Sequence, residues 1–371
     1  MKYKILKVCA LLAVPAAVLG AFGCKHKVSS NEGYLLQDTN IYPEVQAAYE
    51  EESREAISRL LSYSSFPTSD GATRAAAELF AYACYNEEYI DKYVYFSDRT
   101  GSTDLGATGR STVTNQDYKL IIYENDEHPG YKYHYTIKHV DEISGVISMF
   151  QSLFESGTQL RFVDDTDKLY RFNGRNAEYI EDDSLVEEVL TCEWTVNSSA
   201  WGTDDPPIVK REGEKLTLEE MEADVLNSAR NGWENVMHGN INILADDIVE
   251  SATINSTTAD GHTVYTIVMD IDTEVANADE ASMLMLHDAN GSDDCEWIGP
   301  EEGGDGLKII FQIWENGLFK LYGLGETWSG TTNGFSGTAD STLNVQYSYS
   351  SRDTDMTEKL AMLEEAKKTQ E

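Results

Sequence analysis

Two polar clusters have a composition that could bind calcium. The candidate oxygen donors are Asp165, Asp167, Asp288 and Asn290. Carboxylate and amide oxygens are ligands that calcium prefers, and Asp288 could open a twelve-residue calcium-binding loop. That loop requires glycine at its sixth position and glutamate at its twelfth, where this sequence has Asp293 and Gly299. We therefore interpret both clusters as polar turns, with calcium binding as the alternative.

Three tryptophans are candidates for an aromatic binding surface. Trp201 and Trp328 lie in polar stretches that we predict to be loops (NSSAWGT and WSGTTNGF), and Trp314 ends a run with apolar residues on both faces. Indole rings can stack on a sugar or anchor a protein partner. The alternative is that these rings cap the ends of a sheet, because tryptophan is usually largely but incompletely buried.

Common catalytic motifs are missing from the sequence. It contains no HExxH, GxSxG, GxxxxGK[ST] or GxGxxG motif and no paired CxxC. Catalytic carboxylate pairs have no fixed spacing, so a two-carboxylate hydrolase stays open. Glu234 and His238 share a helix face, which we interpret as an ordinary helix pair rather than a metal site. We predict a protein that is not an enzyme and that uses no cofactor.

The overall charge is strongly acidic. The chain of 371 residues has 65 Asp and Glu against 28 Lys and Arg, for a formal net charge of −37. Such a surface repels phosphates and anionic headgroups, which excludes nucleic acid as a natural partner. A hydrophobic content of 41% is sufficient for a packed core.

The N-terminus has the features of an export signal. Three lysines precede an apolar run over 8–22, which is shorter than the roughly twenty residues of a bilayer-spanning helix. Its end, Ala21-Phe22-Gly23-Cys24, resembles a bacterial lipobox. The resemblance implies cleavage before Cys24 and a diacylglycerol on its sulfur, which would anchor an extracytoplasmic domain to the cell membrane or outer membrane. Ordinary signal-peptide cleavage nearby and a retained membrane helix are the alternatives.

Cysteine usage argues against a disulfide framework. Three cysteines remain after such cleavage, namely Cys84, Cys192 and Cys295. At most one disulfide is possible among them, so we expect the packed core to stabilise the protein. No basic residue or histidine flanks them closely, which disfavours a nucleophilic thiol.

Helical patterns occur in several places. Pro43 suits the first turn of a helix whose apolar positions continue to Leu61, and a second helix is predicted from Ala72 to Tyr95. Thr217 and Glu220 form a capping box, with Leu216 and Met221 as its hydrophobic staple. Less pronounced patterns predict helices over 275–286 and 355–368.

Strand patterns dominate after residue 110. Apolar and polar residues alternate over 131–138 and again from Leu343 to Tyr349. Asn-Gly and Asp-Gly between strand-like runs indicate hairpins, because both turn positions need positive φ. Such turn signals are Asn173-Gly174, Asp260-Gly261 and Asn316-Gly317. We place the first of them inside a meander over 160–180.

These elements predict an α+β fold, with a curved antiparallel sheet and helices packed on one of its faces. The predicted segments are a signal peptide (1–23), a lipid-anchored tether (24–40), a helical region (41–100), a sheet domain with inserted helices (101–352) and a C-terminal helix (353–371). The segments 307–327 and 342–350 resemble strands of LolA/LppX-like lipoproteins. That resemblance implies a half-barrel of strands around a greasy cavity.

The sequence therefore predicts a membrane-anchored, non-enzymatic protein that binds an apolar ligand such as a lipid. One alternative is a surface module that binds glycan or protein through exposed aromatic residues. A two-carboxylate hydrolase is the other.

Overall fold

The computed structural model describes residues 43–87, 92–122, 132–145, 148, 157–163, 169–175, 193–197, 215–221, 223, 248–259, 261–290, 293–332 and 335–348. The helices are α1 (Pro43–Ser62), α2 (Asp70–Glu87), α3 (Thr273–Ala278) and α4 (Glu280–Asn290), with a 3-10 turn at Gly106–Thr108. The strands are β1 (Lys92–Asp104), β2 (Arg110–Ile122), β3 (Lys132–Ile143), β4 (Gly157–Val163), β5 (Leu169–Arg175), β6 (Glu193–Asn197), β7 (Val249–Ala259), β8 (His262–Ile271), β9 (Glu296–Trp297), β10 (Leu307–Trp314), β11 (Phe319–Thr332) and β12 (Phe335–Ser348).

All of the described strand pairs are antiparallel and belong to one sheet. Its order is β6-β5-β4-β3-β2-β1-β12-β11-β10-β8-β7, with β9 beside β11. The first and last strands in sequence, β1 and β12, are neighbours in the middle of the sheet, and β6 and β7 lie at its edges. The predicted α+β fold with a curved antiparallel sheet is confirmed.

Two of the predicted hairpins are confirmed with the expected backbone. Gly261 joins β7 to β8 with φ of +86°, and Gly317 lies between β10 and β11 with φ of +83°. Glycine adopts these angles without steric cost. The adjacent pairing of β2 with β3 and of β4 with β5 also agrees with the sequence pattern.

Three predicted boundaries are wrong. The second helix ends at Glu87, and residues 92–95 belong to β1, whose aromatic and β-branched residues favour a strand. Asn173 and Gly174 lie within β5 instead of a turn, because this strand pairs along its length with β4. The predicted loop over 328–335 is the end of the β11–β12 hairpin, which leaves only 333–334 between the strands.

Helix α2 covers one face of the sheet, where it packs against β7, β8 and β11, while α1 packs on α2. Buried alanines of α2 let the helix approach its neighbours closely. The Phe80 ring packs edge-on against Phe311 of β10, with 5.2 Å between the ring centroids, and against Phe319 of β11 at 5.7 Å. Such edge-to-face pairs add to the stabilisation from burial.

The two faces of β10 lie in different environments. Leu307, Ile309, Phe311 and Ile313 are buried in the core on the face of α2. On the opposite face, Lys308 forms an ion pair with Asp270 at 3.0 Å, and Gln312 Nε2 donates to Thr266 Oγ1 at 3.2 Å. Ile310 is also buried there, so β10 has apolar residues on both faces, as its sequence indicates.

The predicted capping box is confirmed at the start of the helical residues 218–221. Thr217 N–H donates to Glu220 Oε2 at 2.8 Å, and Glu220 N–H donates to Thr217 Oγ1 at 3.3 Å. The Glu220 carboxylate also accepts from the Thr217 hydroxyl at 2.9 Å, and the bonds from the Thr217 backbone and then from this hydroxyl lower the pKa of Glu220 below its ordinary value. Leu216 and Met221 of the predicted staple both pack against the core.

Several predictions fall outside the described residues. They concern the signal peptide and Cys24, the tether, the strand over 177–180, Cys192, the pair Glu234–His238 and the C-terminal helix. Cys84 and Cys295 are buried as thiols. None of the helices in the described ranges is both long enough and apolar enough to cross a bilayer.

Candidate functional site: an apolar tip beside a sheet edge

The last turn of α1 and the connection to α2 together expose three large apolar side chains within six residues. Leu61 is 43% exposed, Tyr63 37% and Phe66 66%. We call these three residues the tip. Large apolar side chains that are exposed close together in the chain are a feature of surfaces that bind another molecule, whereas one isolated apolar side chain carries no such meaning.

Backbone hydrogen bonds hold the tip in a fixed conformation. Phe66 N–H donates to Tyr63 O at 2.7 Å, and Ser69 N–H donates to Phe66 O at 3.0 Å. The Ser69 hydroxyl also donates to Phe66 O, at 2.7 Å. Ala72 N–H then donates to Ser69 O at 2.8 Å and joins this turn to α2. The Phe66 ring is therefore exposed on a well-bonded turn.

The Tyr63 ring lies on the first turn of α2. A Cβ atom at Gly71 would be 2.4 Å from Tyr63 Cζ, closer than atoms can approach. Glycine at this position leaves the space that the ring occupies. Tyr63 is thus supported on one side by α2 and exposed on the other.

The tip is also tied to the edge of the sheet. Ala252 N–H of β7 donates to Pro67 O at 2.9 Å. Pro67 directly follows Phe66, so this bond fixes the position of the tip relative to the edge strand. The tip is presented by three elements, α1, α2 and β7.

Charged residues on α1 and α2 neutralise one another next to the core. Glu78 is buried and pairs with both Arg59 and Arg74, the latter with 3.0 Å between Nε and Oε1. Burial, followed by the carboxylates of Glu78 and Glu52, raises the pKa of Tyr82 well above its ordinary value. Both arginines approach the Glu78 carboxylate, so its contacts join α1 to α2.

A second buried acid, Glu326 of β11, holds the side chain of Trp297 of β9. Trp297 Nε1–H donates to Glu326 Oε2 at 2.9 Å. The backbone of Trp297 forms two hydrogen bonds with the Asn277 side chain of α3, each at 2.9 Å. This arrangement attaches α3 and β9 to the sheet.

The predicted tryptophans occupy different environments. Trp314 is only 1% exposed, and its ring lies 5.2 Å from Lys320 Nζ, so it presents no free face to an external ligand. Trp328 is partly buried and pairs across the strands with Trp297. Trp201 lies outside the described residues.

The candidate calcium ligands are not brought together in the described part of the chain. Asp165 and Asp167 lie outside it, Asp288 and Asn290 belong to the last turn of α4, and Asp293 and Asp294 follow in a turn. The Asp279 side chain accepts from Ser282 N–H at 2.9 Å and starts this helix. Within the described ranges, no group of three Asp, Glu, His or Cys residues could hold a metal ion.

Sequence reasoning missed the tip. We placed Leu61 among the apolar positions of the first helix and assigned no role to Tyr63 or Phe66. One signal was available: a phenylalanine inside a loop-forming run of Pro, Thr, Ser, Asp and Gly has few neighbours to bury it.

Comparisons with known proteins identify no relatives of this chain by sequence. No family model matches it, and no curated protein does. One solved structure, titled a putative MaoC domain protein dehydratase from Chloroflexus aurantiacus J-10-fl, aligns over 88% of this chain and 100% of its own. Its sequence identity is 12% and its TM-score 0.13, too low to support an argument about fold or activity.

Proposed function

We propose that this protein is a lipid-anchored, extracytoplasmic binding protein that holds an apolar ligand at the tip and catalyses no reaction. The observation that carries the proposal is the exposure of Leu61, Tyr63 and Phe66 on a turn fixed by hydrogen bonds. The lipobox-like segment ending at Cys24 supports a location at a membrane, where apolar ligands are abundant.

The tip supports this proposal better than the space under α2 does. The rings of Phe80, Phe311 and Phe319 are in mutual contact between α2 and the sheet. These three rings occupy the space between α2 and the β10–β11 hairpin, as close packing of an interior requires. We therefore assign the ligand to the surface of the α1–α2 connection and not to the core beneath it.

The hydrolase alternative gains no support from the buried acids Glu78 and Glu326. Glu78 is neutralised by two arginines, and Glu326 accepts a hydrogen bond from a tryptophan. Both carboxylates have structural roles in these contacts.

The proposal predicts that Phe66→Ser weakens ligand binding. Burial of the exposed two-thirds of this ring would contribute roughly 1–2 kcal/mol, which is about a tenfold change in affinity. The measurement is a titration of the full chain with a fluorescent long-chain fatty acid, together with native mass spectrometry to detect co-purified lipid.

Ser65→Ala is the matched control, because it alters the same exposed turn without removing apolar surface. We expect its affinity to remain within about twofold of the wild type. If Phe66→Ser binds the fatty acid as tightly as the control does, or the wild type binds none, the tip is not the ligand site.

A further inference from the structure

Strand β7 is an edge of the described sheet, and its backbone groups alternate between β8 and the outside. Ala252 N–H donates to Pro67 O, so the backbone of Ala252 points away from β8. The register shift in β7 lies earlier, between Val249 and Ser251. Beyond it the strand is regular, so every second residue shares the orientation of Ala252. The following outward residues are Ile254, Ser256 and Thr258.

Among the residues that the structure describes, none of the devices that usually protect a sheet edge occurs at this part of β7. Residues 251–259 (SATINSTTA) contain no charge and no proline, although 25% of the chain is charged. Residues 255–258 are all exposed. Edge strands are normally protected by charged residues, prolines, bulges or covering loops. The bulge and the Pro67 contact both end before Ile254, which is buried. In the described part of the chain this leaves 255–258, here called the β7 edge, as a template for strand pairing.

We propose that the β7 edge binds an extended segment of a basic partner protein as an added β-strand. In this mode of recognition, backbone hydrogen bonds provide affinity and alternate side chains provide specificity. The outward N–H and C=O groups of the exposed residues Ser256 and Thr258 can pair with such a segment. Pro67 limits the added strand at Ala252, so the paired segment is short.

The net charge of the chain favours another protein over a second copy of this chain as the molecule that pairs with the β7 edge. Two copies would each bring a formal charge of −37, and their repulsion opposes pairing. The same charge attracts a cationic partner and accelerates its association. Glu250 is exposed at the bulge that precedes the edge, so basic residues flanking an uncharged centre fit this surface. The inference does not depend on ligand binding at the tip.

The test uses a labelled peptide with a valine–threonine centre and two lysines at each end. It is titrated with the full chain in detergent and followed by fluorescence anisotropy. Ser256→Pro removes an outward N–H and leaves the β7–β8 hydrogen bonds in place. We expect it to weaken binding by about tenfold. Ser256→Ala keeps the N–H, and its affinity should stay within about twofold of the wild type.

A peptide with alternate backbone amides N-methylated tests the same bonds without changing the protein, and it should not bind. Thr258→Pro replaces Ser256→Pro if the latter does not fold, as judged by urea unfolding. Equal binding by the proline variant or by the methylated peptide would overturn the proposal, as would no binding of the parent peptide at about 1 mM. Sedimentation that shows a dimer dissociated by Ser256→Pro would identify a second copy as the occupant and overturn it too.

Discussion

At the scale of single residues, Glu315 connects two hairpin turns. Its carboxylate accepts from Thr263 N–H at 3.1 Å and lies 3.0 Å from His262 Nδ1. Its backbone N–H donates to Thr263 O at 3.0 Å. The side-chain hydrogen bond with His262, followed by that from the Thr263 backbone, lowers the pKa of Glu315 below its ordinary value.

This shift predicts how stability depends on pH. The pKa of Glu315 is lower in the folded than in the unfolded chain. Its contribution to the free energy of unfolding is therefore complete at pH values above the pKa of the unfolded chain. It is lost as the pH falls through the folded pKa. Glu315→Gln should cost about 0.5 kcal/mol at neutral pH, a small value because the group is partly exposed.

Urea unfolding of the wild type and Glu315→Gln, repeated from neutral pH to about pH 3, measures this dependence. The difference in the free energy of unfolding should shrink as the pH falls. Glu301→Gln, at an exposed acid in another turn, is the control and should show no such trend. A difference that stays constant over the whole range would show that the carboxylate charge is not involved.

At the scale of elements, the two glycine hairpins differ in what surrounds them. Gly317 faces α1, where a Cβ atom would lie 2.5 Å from Ser53 Oγ. Gly261 has nothing within 4 Å of such an atom, although its φ is nearly the same. Gly317 therefore serves both the turn conformation and the close approach of α1 to the β10–β11 hairpin.

Alanine substitutions at these glycines should separate the two effects. Gly261→Ala should lower the free energy of unfolding by about 1 kcal/mol, from backbone strain alone. Gly317→Ala should cost about 2–4 kcal/mol because it adds a clash with the buried Ser53. Urea unfolding gives both values. The double variant Ser53→Ala/Gly317→Ala should recover part of the loss, and equal losses in the two single variants would contradict the close packing.

At the scale of the whole molecule, the acidic charge of the chain gives a reason for the proposed lipid anchor. The net charge of −37 works against adsorption to anionic membranes, so a covalent lipid would supply the attachment. We propose Cys24, the last residue of the lipobox-like sequence, as the attachment site of that lipid. A diacylglycerol has two acyl chains, which is enough for stable anchoring.

Cys24→Ser should release the protein from the membrane. The measurement is the distribution of the full chain between membrane and soluble fractions, and between the detergent and aqueous phases. Cys84→Ala removes a buried thiol and leaves the proposed anchor intact, so it should stay with the membrane. A Cys24→Ser protein that remains fully membrane-bound would exclude the lipid anchor.

Local patterns in the sequence determined the antiparallel strands, the glycine turns at Gly261 and Gly317 and the capping box at Thr217. They did so because each depends on backbone conformation and on neighbours a few residues away. The same local reasoning failed at Asn173–Gly174. At this position β5 continues to pair with β4 through both residues. The sequence of a short turn does not encode the pairing of its residues with another strand.

Only the tertiary structure decided which strands are neighbours and which apolar residues remain exposed. The pairing of β1 with β12 joins segments more than two hundred residues apart, which no local periodicity encodes. Leu61 belongs to an apolar helical pattern, yet it is exposed while its neighbour Leu60 is buried. Burial depends on what packs around a residue, so residue types and spacing did not decide the exposure of Leu61 or the position of β7 at an edge of the sheet.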